Sequence, residues 1–159
     1  MFTTGTRPVV PTDPVARIMM WPVATAPENH TMRQAAETLA ADEVGVLAVI
    51  ERGRLVGLVS ERDLARHLAD GANPDHLTVG EMMTTDPVSA RTDDEVASLA
   101  RTMLDAGVRH VPLFDDDGLA GMVSVRDVLD VLVSALEGED VVELTPGVRV
   151  VLRSRGSGR

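Results

Sequence analysis

The 159-residue chain has no cysteine, no tyrosine and no lysine. Without cysteine there is no disulfide, no thiol nucleophile and no thiolate metal site. Without lysine there is no Walker A loop and no Schiff-base chemistry. All 15 basic residues are arginine. Trp21, Phe2 and Phe114 are the only aromatics, which argues against base-stacking platforms. No apolar run approaches the roughly 20 residues of a membrane-spanning helix. The opening MFTTGTRPVVPTDP has no apolar stretch of the secretory kind, so a cytoplasmic location is expected. Positive charge is in deficit, 25 acids against 15 bases for a net charge of −10. A phosphate backbone would be repelled by most of this surface, and neither nucleic acid nor membrane is an expected partner.

Hydrophobic residues make up 44% and charged residues 25%, the balance of an ordinary globular protein. The chain also repeats itself. Shifted by 64 residues without a gap, 31–66 and 95–130 share nine identities in 36 positions, among them Gly57/Gly121, Ser60/Ser124, Arg62/Arg126 and Asp63/Asp127. Background composition would give roughly two or three. A Met-Met pair recurs as well, Met19-Met20 and Met82-Met83, at a shift of 63. Gly71, Asn73, Pro74 and Pro87 mark a linker around 71–87.

Each copy has the same local grammar. Thr31 with Gln34, and Thr92 with Glu95, read as capping boxes opening a first helix. The apolar residues that follow, Met32, Ala35, Ala36, Leu39 and Ala40, then Val96, Leu99, Ala100, Met103 and Leu104, fall on one helix face. Two short apolar runs across a Gly-containing turn then predict a hairpin, 46–50 with 55–59 and 108–114 with 119–123. Ser60 and Ser124 open a second helix, and Gly71 sits where a C′ glycine ends the first of these. A short strand near Val23, and another near Val88, precedes each first helix. The unit is β-α-β-β-α, repeated.

GLVSERDL at 57–64 and GMVSVRDV at 121–128 resemble the G-h-h-[ST]-x-x-D-h hallmark of CBS domains, and VRHVPLF before the second strengthens the likeness. The first copy has VGVLAVI there, without Arg, His or Pro. The resemblance implies an α/β fold, a tandem pair of CBS domains related by pseudo-twofold symmetry. It divides the chain into an N-terminal segment 1–13, a first domain 14–71, a second domain 72–136 that includes linker 72–87, and a tail 137–159. It also implies a stand-alone Bateman module. Such a module binds an adenosine-containing ligand, forms a homodimer and regulates a partner protein, with no catalysis of its own.

The residues suit a nucleotide. A serine where a strand ends and a helix begins stands beside free N–H groups and the positive end of the helix dipole, a place for phosphate. Ser60 and Ser124 can donate to that phosphate, and Arg62 and Arg126 add charge. Asp63 and Asp127 can accept from both ribose hydroxyls. Adenine would lie on Val23, Val46, Leu47, Val88 and Val111, with Arg109, His110 and Pro112 beside the second cleft. With no lysine to hold a polyphosphate, AMP is the favoured ligand, and S-adenosylmethionine, ADP, ATP and a dinucleotide stay open. No cofactor is required. The competing expectation is a ligand-free dimerisation or docking module, because Ser-x-x-Asp is also a plain N-cap pattern.

Other features point to no chemistry. The four histidines show no metal spacing, and Asp115-Asp116-Asp117-Gly118 reads as a solvated turn rather than a calcium loop. No G-x-S-x-G elbow is present. All 25 acids lie in 1–143, whereas 144–159 hold four arginines and no acid. Val141–Leu144 and Val148–Leu152 around Pro146-Gly147 could form a hairpin with a type II turn.

Overall fold

The computed structural model describes residues 7–137, 141–145 and 148–151. Unit one contains β1 (Thr25–Ala26), α1 (Met32–Ala41), β2 (Val46–Glu51), β3 (Arg54–Ser60) and α2 (Glu61–Ala69). The short α3 (Val79–Met82) and β4 (Thr84–Thr85) follow, inside the stretch expected to be a linker. Unit two contains β5 (Ala90–Arg91), α4 (Val96–Ala106), β6 (His110–Asp115), β7 (Gly118–Ser124) and α5 (Val125–Glu137). The first sheet has the order β1-β2-β3-β4 and the second β5-β6-β7. In each, a parallel pair (β1 with β2, β5 with β6) adjoins an antiparallel hairpin. This is the expected β-α-β-β-α order. The tail strands β8 (Val141–Thr145) and β9 (Val148–Val151) pair antiparallel, while Pro146 and Gly147 of the anticipated turn lie outside the described residues.

Strand alternation assigns each side chain to one of two environments. Along β2, Leu47 and Val49 enter a core with α1, α2 and α3. Val46 and Ala48 face the other way, into a cluster shared with Leu58 and with Met122 of unit two. Along β6, Val111 and Leu113 join a second core with α4 and α5. Each sheet therefore has helices on one face and the other sheet on its opposite face.

The units exchange their leading segments. Val15, in the 3-10 turn before unit one, is fully buried in the core of unit two. Val79, its equivalent at a shift of 64, is fully buried in the core of unit one. The backbone bonds match pair for pair. Val15 N donates to Asp94 O at 2.8 Å, and Val79 N to His30 O at 2.7 Å. Met20 forms a bridge with Met122 of β7, while Thr84 pairs with Leu58 of β3. Gly121 and Gly57 make room for the crossing chain. A Cβ on Gly121 would stand 2.9 Å from Met19 Sδ, and one on Gly57 2.6 Å from Met83 Sδ. Met19 thus corresponds to Met83, so the structural register is 64 throughout rather than the 63 suggested by the Met-Met pairs.

The two first helices differ in their side-chain caps. Thr31 forms the expected capping box with Gln34. The expected Thr92 box does not form; α4 is N-capped at Glu95, without a side-chain bond. The crossing segments bond the backbone at both helix starts, Val96 N to Asp13 O at 3.0 Å and Ala97 N to Pro11 O at 2.8 Å in α4, and Met32 N to Leu77 O at 2.7 Å and Arg33 N to Pro74 O at 2.9 Å in α1. Asp13 is itself held, only 4% exposed, by Arg7, Arg17 and the N–H of Val10.

Candidate functional site

The two hallmark segments fold alike at their serine. Ser60 N and Oγ donate to Asp63 Oδ2 at 2.8 and 2.6 Å, and Ser124 N and Oγ to Asp127 Oδ2 at the same distances. Each pair is a capping box, and each carboxylate commits one oxygen to it. The second oxygens differ. Asp63 Oδ1 faces Arg66 Nη1 at 3.7 Å. Asp127 Oδ1 has no hydrogen bond or ion pair among the described residues.

A cleft of about 1240 Å³ runs between the units. Unit one gives it Val23 and Val46, and unit two gives it Ser124, Arg126 and Asp127, together with Arg109 and His110. These seven expected site residues are brought together. The others go elsewhere. Leu47 and Val111 are buried in the two cores, because alternation turns them away from the inter-sheet face. Pro112 is fully buried in β6, opposite Met122. Val88 is 37% exposed and stands outside this cleft. Ser60, Arg62 and Asp63 do not line it either; Arg62 Nη1 instead donates to Gly107 O at 3.4 Å, where α4 ends.

The cleft carries charge of both signs. Arg109 and Arg126 make no ion pair among the described residues, although Asp42, Glu43, Glu61 and Asp127 line the same space. His110 packs against Gly45, where an added Cβ would stand 3.1 Å from its Cε1 and 3.4 Å from Glu61 Oε2. Burial holds the imidazole below its ordinary pKa and Arg109 pushes the same way, while the carboxylates of Glu61 and Asp127 oppose both. Desolvation outweighs the acidic neighbours, and the net effect favours the neutral ring.

Sequence reasoning missed Gly45, Glu61, Asp42 and Glu43. Gly45 and Glu61 stand at the repeat positions of Arg109 and Val125, so extending the 64-residue register across the cleft would have pointed to both. Asp42 and Glu43 gave no local signal, because a helix end with two acids reads as solvated surface.

The sequence matches the CBS domain over residues 15–70 and 79–134, one match per unit. The chain belongs to the CBS-domain family. Among relatives of this CBS-domain pair, the Bacillus subtilis CBS domain-containing protein YhcV is 29% identical over 106 residues, which are 67% of this chain and 76% of that protein. An uncharacterized 17.7 kDa protein of Acidianus ambivalens is 34% identical over 116 residues, 72% and 70%. The uncharacterized protein MK0525 of Methanopyrus kandleri is 30% identical over 123 residues, 74% of this chain but 63% of its own length. Similar solved structures include two at 28% identity. One is the CBS domain pair of protein MJ0100 in complex with 5-methylthioadenosine and S-adenosyl-L-methionine, with a TM-score of 0.71 over 79% of this chain and 99% of that one. The other is the CBS domain protein PAE2072 of Pyrobaculum aerophilum complexed with AMP, with a TM-score of 0.69 over 76% and 96%.

Proposed function

We propose that this CBS-domain pair is a regulatory module whose cleft binds an adenosine-containing ligand, with AMP favoured. The observation that carries the proposal is the convergence described above. An apolar strip from unit one, Val23 and Val46, shares the cleft with two guanidiniums of unit two that have no ion pair among the described residues, and with a half-engaged carboxylate. The complexes of similar CBS pairs with AMP, and with 5-methylthioadenosine and S-adenosyl-L-methionine, support it.

The adenine lies on Val23 and Val46. Asp127 Oδ1 accepts from the ribose hydroxyls, its Oδ2 being engaged by Ser124. The phosphate meets Arg126 and Arg109 beside the N-terminus of the 13-residue α5. A charge-assisted hydrogen bond contributes about 1.5–3 kcal/mol, and a micromolar complex needs about 8 kcal/mol, so a few such bonds and a buried base suffice. Asp42, Glu43 and Glu61 on the same walls oppose a third phosphate, which is why a monophosphate is preferred to ATP. Because the cleft is built from both units, a ligand there ties them together. It shifts whichever arrangement of the pair, or of a homodimer, binds it better, and passes that shift to a regulated partner. The module performs no chemistry on the ligand.

The test is thermal unfolding of ligand-stripped protein with AMP, ADP, ATP, GMP, NADH and S-adenosylmethionine. A ligand at 100 times its dissociation constant adds about 2.7 kcal/mol, a shift of several degrees. AMP is expected to protect, and Asp127→Ala to weaken it about tenfold or more. No shift from any compound would overturn the proposal and leave a docking module without ligand.

A further inference from the structure

We infer that the second ligand cleft implied by the repeat is latched shut by Arg62, so that each chain takes one adenosine ligand, in the cleft beside Arg126. The inference rests on the reading of that cleft given above. In the 64-residue register Arg62 matches Arg126, Asp63 matches Asp127, Arg66 matches Asp130 and Gly107 matches Glu43. The Arg62 guanidinium donates across the seam to the Gly107 carbonyl at 3.4 Å and joins α2 of unit one to the end of α4. Gly107 and Glu43 share the left-handed backbone shape, φ 65° and 54°. Gly107 leaves its carbonyl bare for a guanidinium, whereas Glu43 puts a carboxylate on the wall of the open cleft. Asp63 has one oxygen capped by Ser60 and the other facing Arg66. At the matching place unit two has Asp130, which cannot pair with Asp127, so Asp127 Oδ1 stays available. The arginine and carboxylate of one hallmark are thus consumed by the fold, and those of the other are not.

Titration calorimetry with AMP, and separately with S-adenosylmethionine, counts the sites. Trp21 is the only tryptophan and there is no tyrosine. It stands between Met20 and Pro22, which line the open cleft, so its emission reports on that cleft. One binding event per chain is expected, with a change in Trp21 emission. Arg126→Ala weakens that event about tenfold. Arg62→Ala adds a second, weaker event that carries heat but leaves Trp21 emission unchanged. Two events in the unsubstituted protein, a lone event that Arg126→Ala spares, or a count of one in Arg62→Ala would overturn the inference. No heat from either compound would overturn the reading of the cleft itself.

Discussion

Thr31 and Glu95 hold equivalent places at the start of α1 and α4, yet only Thr31 caps its helix with a side chain. The same division runs through the two units. Their backbones are bonded alike where the leading segments cross, as at Val15 and Val79, while their side chains have diverged at the seam. Gly45 faces His110, and Glu61 stands at the repeat position of Val125. A duplicated fold retains the packing that holds it up and is free to change the polar residues around its clefts, which is where function lives.

The most severe way to break the comparison is to empty a core. Leu47 and Leu99 are buried in units one and two. Leu47→Ala and Leu99→Ala are each expected to cost about 2–5 kcal/mol. Because each core includes a segment from the other unit, urea denaturation should show one transition in both variants. Two resolved transitions would mean that the units stand alone. A smaller effect comes from the crossing itself. Gly57→Ala and Gly121→Ala push a Cβ into Met83 and Met19 and against the carbonyls of Thr84 and Met20, both 3.0 Å away. Each should lose about 1–3 kcal/mol, and by similar amounts if the two crossings are equivalent. The caps should be unequal: Thr31→Ala costs about 1 kcal/mol, and Glu95→Ala stays within about 0.5 kcal/mol.

The gentlest probe is pH. Asp13 corresponds to Leu77 in the other crossing segment, so its buried carboxylate has no counterpart at that position. The Arg7 guanidinium and the Val10 N–H lower its pKa to about 2. A carboxyl with a depressed folded pKa stabilises the fold above its unfolded value of about 3.9, and that contribution fades as pH falls toward 2. Melting temperatures from pH 5 to pH 2 should therefore fall more steeply in the unsubstituted protein than in Asp13→Asn. Parallel curves would show that the pair with Arg7 does not matter.

Local signals in the sequence were legible. The Ser60–Asp63 and Ser124–Asp127 boxes, the Thr31 cap and both hairpins each depend on residues a few positions apart. The crossing was not legible, because a linker with two prolines and a buried segment such as Val79–Met82 can read alike. Thr92 looked like a cap because Glu95 follows it at capping-box spacing, but the 64-residue register sets Glu95, not Thr92, opposite Thr31. At the site, alternation separates Val46 from Leu47 but does not say which face meets the other unit. The seven residues gathered in the cleft and those that lie elsewhere could be sorted only once the two sheets were placed face to face.

The exchange of leading segments also sets an order on the making of the protein. Residues 11–20 leave the ribosome ahead of both units, but their seat on α4 and β7 exists only after residues up to about 124 have been made. Unit one is completed sooner, once 77–84 emerge to lie on it. At roughly 5–20 residues per second the first segment waits several seconds with Val15 uncovered. The segment that leads the pair is thus among the last to be seated, and a slowdown in translation of the second repeat would lengthen the time that this apolar stretch is open to other chains.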